Sequence, residues 1–139
     1  MSSGLEIKLI LCDAAVADPS GKLHMIGAGW SVTRTPTIPH AVAIMIKIPW
    51  NLANQRIPFA LSLLDPDGHP VFLDLDGAEV PIGREGEIEA GRPHGLAPGI
   101  MLDAALAISF LPLALAPGRY EWRLTLDDQS AREAFTVRA

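Results

Sequence analysis

The chain has 139 residues, of which 49% are hydrophobic and 19% charged, and its net charge is -5. This length suits a single domain over residues 1–139 with a core of its own. The acidic balance argues against a nucleic-acid partner or an anionic membrane surface, both of which select clustered Lys and Arg.

Taken in chain order, the apolar period is two nearly everywhere. Leu5, Ile7, Leu9 and Leu11 alternate with Glu6 and Lys8, as expected for a strand with one buried and one wet face. Asp18-Pro19-Ser20-Gly21 then has the chemistry of a tight turn, because Pro presets φ, Asp bonds back to the backbone and Gly supplies positive φ. From Lys22 to Thr33 the parity switches near Ile26-Gly27, and the reading is a bulge at the glycines. Val42, Ile44, Ile46 and Ile48 line one face of the next strand, and Ala41, Ala43, Met45 and Lys47 line the other. Ile57, Phe59, Leu61 and Leu63 form another alternating run, closed by the near-repeat turn Asp65-Pro66-Asp67-Gly68.

Gly91 to Gly99 holds three glycines and two prolines and must be a loop. Ile100 to Phe110 has the alanine content of a helix. Ile100, Leu102, Leu106, Ile108 and Phe110 nevertheless share one parity, and Pro112 and Pro117 would end a helix, so a strand is expected. Tyr120, Trp122, Leu124 and Leu126 alternate with polar residues, placing Tyr120 and Trp122 in the core. Ala131 to Arg138 reads as the last strand. Together these predict an all-β chain of eight or nine strands. The expected fold is an antiparallel two-sheet β-sandwich, immunoglobulin-like or jelly-roll-like.

Cys12 is the single cysteine, which excludes an internal disulfide and suits a reducing cytoplasm. Lys8 to Cys12 faintly resembles a lipoprotein cleavage site, but the apolar stretch is short and Leu11 is too large. No run reaches the ~18 apolar residues of a membrane span. Eight arginines against three lysines, with abundant Ala, Pro and Gly, suggest a bacterial origin.

Three segments together resemble a small bacterial all-β family of unknown function. They are Leu11-Cys12-Asp13-Ala14-Ala15 with Gly21-Lys22-Leu23 and Gly27-Ala28-Gly29-Trp30, the Gly91-Arg92-Pro93 loop ending in Pro98-Gly99, and Pro117-Gly118-Arg119-Tyr120-Glu121-Trp122-Arg123. The resemblance implies the fold and brings no activity or catalytic residue.

Each candidate site has a plainer rival. His24, His40, His69 and His94 form no local ligand pair. Asp65, Asp67, Asp74 and Asp76 fall close enough to suggest calcium, which wants several carboxylate oxygens; the rival is that they are turn formers and a solvated face. Glu85, Glu87 and Glu89 share one parity and could pair as hydrolytic acids, although like charges in a row more often guard a strand edge. There is no Gly-x-Ser-x-Gly elbow. Cys12 reads as an inert buried thiol, and Gly27-Ala28-Gly29 lacks the third glycine of a dinucleotide site. No cofactor is therefore expected.

Arg92 and His94 are candidate ligand donors from their loop, an arginine fork suiting carboxylate or phosphate, and Trp30 is a candidate ligand contact. The rival readings are that Arg92 pins the loop through backbone carbonyls and that the glycines let Trp30 pack. The function expected from this balance is a non-enzymatic binding or assembly module with an unknown protein partner. It is expected to be homo-oligomeric, because several strands are apolar on both faces. The alternative is a ligand- or calcium-binding protein or hydrolase using the Asp65–Asp76 cluster or the Arg92 loop.

Overall fold

A computed structural model describes residues 4–139. Twelve strands carry the described chain: β1 (Glu6–Cys12), β2 (Ala14–Ala17), β3 (Leu23–Ile26), β4 (Val32–Arg34), β5 (His40–Ile48), β6 (Ile57–Leu64), β7 (Phe72–Leu75), β8 (Ala78–Pro81), β9 (Gly83–Ile88), β10 (Leu102–Phe110), β11 (Gly118–Leu126) and β12 (Gln129–Arg138). The one helical element among the described residues is a 3-10 turn, Trp50–Leu52. The strands form four sheets, ordered β1-β5-β10, β4-β12-β11-β6-β9, β2-β3 and β7-β8.

The all-β expectation therefore holds, and its finer form needs correction. There are twelve strands in four sheets rather than eight or nine in two. Glycine turns account for part of the difference. The run from Lys22 to Thr33 is not one bulged strand: it ends at Gly27 and Gly29, which hold φ of 63° and 92°, and resumes as β4 in another sheet. A second break at Asp76-Gly77, with φ of 52° and 85°, folds β7 back on β8. The sheets are also not wholly antiparallel, since β4 pairs parallel to β12.

The three-stranded and five-stranded sheets share one core. Leu9 and Leu11 of β1, Val42, Ile44, Ile46 and Ile48 of β5, and Leu102 and Ile108 of β10 meet Leu61 and Leu63 of β6, Trp122, Leu124 and Leu126 of β11, and Phe135 and Val137 of β12. Their common parity within each strand puts them all inward. Trp122 is fully buried at the centre, its ring stacked 4.4 Å from that of Phe110. Tyr120 is also buried and donates its hydroxyl to the Ala116 carbonyl at 2.8 Å. At the β6–β9 pairing the backbones come so close that a β-carbon on Gly83 would stand 2.1 Å from the Leu61 carbonyl oxygen. Only glycine fits there.

The outward residues of the three-stranded sheet are small, and this allows a second layer. Cys12, Ala41 and Ala43 are fully or almost fully buried in a separate cluster with Ile10, Ala15 and Leu23. The β2–β3 hairpin lies over them, joined by the Asp18–Gly21 turn that the sequence predicts.

Candidate functional site

The hairpin covers only part of that outer face. Across the sheet, register places Cys12 beside Ala41 and Ser109, Ile10 beside Ala43 and Ala107, Lys8 beside Met45 and Ala105, and Glu6 beside Lys47 and Asp103. The alanine rows lie under the hairpin, whereas Met45 is 43% exposed beyond it. A cleft of about 590 Å³ opens at this boundary, walled by Gly21, Lys22 and Leu23 of the hairpin and floored by Lys8, Met45 and Lys47. Glu6 and Asp103 also line it.

The chain's three lysines, Lys8, Lys22 and Lys47, thus all stand in one cleft. Lys47 is paired with Asp103. Neither Lys8 nor Lys22 has a carboxylate partner among the described residues.

A second cleft, about 440 Å³, lies along the start of β10. Asp103, Ala104 and Ala105 line it, between the Asp18–Gly21 turn on one side and Glu89 to Pro93 on the other. The turn is rigid. The Asp18 carboxylate accepts the Ser20 amide at 2.9 Å, the Ser20 hydroxyl at 2.6 Å and the Lys22 amide at 3.1 Å, and lies 2.8 Å from His24 Nε2. These bonds, the Ser20 hydroxyl foremost and His24 next, hold the carboxyl far below the usual carboxylate range.

Along the remainder of β10 the β2–β3 hairpin lies against the strand and Arg84 stands 5.9 Å from the Phe110 ring, but the outer backbone edge is unpaired. β10 pairs only with β5, and among the described residues no backbone hydrogen bond reaches it from any other element. From Ala104 to Phe110 it carries no charged side chain.

Arg92 lines the second cleft, but its guanidinium is engaged: Nη2 donates to the Trp50 carbonyl at 2.8 Å, and the group lies 4.6 Å over the Trp50 ring. It therefore pins the Gly91–Gly99 loop to the 3-10 turn. His94 is exposed on that loop and lines neither cleft.

Trp30 sits away from both clefts, against His40 at 5.4 Å and Phe135 at 5.5 Å between ring centroids. Its neighbour His40, which the sequence offers only as one of four unpaired histidines, is 1% exposed in an aromatic cage with Phe110, Trp122 and Phe135. Nδ1 donates to the Ile38 carbonyl at 3.2 Å, which leaves Nε2 as the bare acceptor. Burial pushes the His40 pKa down, because desolvation penalises the imidazolium.

Asp65 and Asp67 come together with His69, their ligand atoms within 4.8 Å of one another. Asp74 and Asp76 stay outside that group. Asp65 accepts the amides of Asp67 and His69 at 2.9 Å each, and Asp74 accepts the Gly77 amide at 3.0 Å, so both carboxylates act as turn formers. Glu85 and Glu87 are exposed on the edge strand β9, with Glu89 just past its end. Cys12 is buried, and burial raises its thiol pKa, which disfavours the thiolate.

No described helix is long and apolar enough to cross a membrane. The chain belongs to the family of unknown function DUF6941, whose model matches residues 8–138. No curated protein matches it.

Proposed function

For a member of a family without an assigned activity, we propose a non-enzymatic assembly module that associates with a second copy of itself through the free edge of β10. The carrying observation is the contrast among the four outer strands of the two larger sheets. β4 has only three residues. β9 carries Arg84, Glu85 and Glu87, all exposed. β1 alternates Glu6 and Lys8 with apolar residues, and its Leu11 carbonyl accepts the Gly29 amide at 2.7 Å. Shortness, charge and coverage are the usual protections of an edge. β10 has nine residues, pairs with β5 without a bulge and has one charged residue of its own, Asp103; the β2–β3 hairpin lies against it and Arg84 stands 5.9 Å from the Phe110 ring, but its outer backbone row pairs with no other strand.

An uncharged edge is also self-complementary. Two copies pairing antiparallel about a two-fold axis satisfy each other's backbone groups and close the assembly at two. No like charges oppose along Ala104–Phe110, because that stretch has none. The wider reading is a two-layer sandwich, since the three-stranded and five-stranded sheets share one core. The lone buried thiol suits a bacterial cytoplasm.

Hydrogen exchange at two protein concentrations tests the reading. The β10 amides that point away from β5 exchange slowly in concentrated solution and fast when diluted, while those of β9 are indifferent to concentration. Concentration-independent exchange along all of β10 would refute self-pairing.

A further inference from the structure

A different observation points to a small ligand: the only three lysines of an acidic chain line one cleft. They come from three places far apart in sequence, two strands and a hairpin, and are joined only by the β1–β5 register and by the hairpin lying over the sheet. We propose that the cleft of about 590 Å³ binds a small amphipathic anion, an aliphatic carboxylate. Its volume lies within the usual range for small-molecule sites, roughly 300–1,000 Å³.

The lining divides by chemistry. The Glu6, Lys47 and Asp103 row alternates in sign, and Lys47 is neutralised by Asp103. Lys8 and Lys22 remain as two cations, and Glu6 as one carboxylate, without an ion-pair partner among the described residues, so the lining keeps a positive balance. Met45, the register partner of Lys8, and Leu23, next to Lys22, share the lining, and Met45 is 43% exposed. A thioether side chain adapts to an aliphatic tail of varied shape, and lysine ammonium groups offer three donors each to a carboxylate head. An anion with no tail leaves Met45 wet, and a tail with no charge leaves both ammonium groups unanswered. The ligand that answers both has an apolar body and one anionic end. Self-association at the β10 edge is not required for this site.

The lysines make the test specific. Reductive ¹³C-methylation keeps their charge and labels three side chains, all in the cleft. Lys8→Arg, Lys22→Arg and Lys47→Arg each remove one signal and assign it. Titration of the full chain with octanoate is expected to move the Lys8 and Lys22 signals saturably. Octanol and inorganic phosphate, at the same concentrations, are expected to bind at least tenfold more weakly. Met45→Glu and the Lys8→Gln/Lys22→Gln pair each raise the octanoate dissociation constant at least tenfold, and the Lys47 signal reports that the fold is intact. The proposal is overturned if octanoate moves neither lysine saturably, if octanol or phosphate does so as well as octanoate, or if the variants bind octanoate unchanged.

Discussion

β9 and β10 are both outermost strands, each paired on one side only, and they are built in opposite ways. β9 reads Gly-Arg-Glu-Gly-Glu-Ile, with its charged residues exposed and Gly83 pressed against the Leu61 carbonyl. β10 reads Leu-Asp-Ala-Ala-Leu-Ala-Ile-Ser-Phe, its alanines half-buried and its outer backbone row unanswered. The same hydrogen-bonding hunger exists at both edges. What differs is the cost of satisfying it with another strand. Desolvating Arg84, Glu85 and Glu87 opposes pairing at β9, whereas pairing along Ala104–Phe110 of β10 takes no charged side chain of that strand out of water. A free edge becomes an interface through what its side chains fail to prevent.

One core lies under both edges, so the largest expected effect comes from removing its centre. Trp122→Ala deletes a fully buried indole from β11 and is expected to cost about 3–5 kcal/mol in chemical denaturation. A loss under ~1 kcal/mol would mean that the two sheets are not held by one cluster. The next effect falls on β10 alone. Ala107→Lys with Ser109→Lys places like charges on the unpaired strand, and the self-dissociation constant should rise at least tenfold, about 1.4 kcal/mol. Circular dichroism would show the monomer still folded; an unchanged constant would mean that the interface lies elsewhere.

Acidification should act on the core rather than on either edge. The folded pKa of His40 is depressed, so below the ordinary value of 6.5 the unfolded chain takes up the proton first and stability falls with falling pH. His40→Gln should flatten that part of the stability profile while leaving association unchanged. A profile that is level from pH 7 to 5 in the native chain would contradict a neutral buried imidazole. The smallest effect is the converse of the lysine pair. Replacing Arg84, Glu85 and Glu87 by Ala strips the protection from β9 and should yield species larger than a dimer at high concentration, visible by sedimentation.

The contrast between these edges was only half legible in the amino-acid sequence. Parity identified β10 as a strand despite its alanines, because Leu102, Leu106, Ile108 and Phe110 all fall on one side. The charges of β9 were visible as a solvated row. The positions of the two strands at the margins of different sheets were not, since pairing depends on contacts distant along the chain. The same limit hid the lysine cleft: nothing local connects Lys8, Lys22 and Lys47 until β1 pairs with β5 and the hairpin folds over them. Arg92 carried a true signal of order, but its partner is the Trp50 carbonyl rather than a ligand. The aspartate turns also announced themselves, and the carboxylates of Asp18, Asp65 and Asp74 bond their own loops. His40 gave no warning, because its surroundings come from β10, β11 and β12.

Sedimentation equilibrium of the native chain bears most directly on the unpaired β10 edge. From micromolar to hundreds of micromolar, the weight-average mass should climb toward twice that of the chain and level there, with the Ala107→Lys/Ser109→Lys protein remaining at the single-chain mass. A native chain that stays monomeric throughout that range would contradict the account.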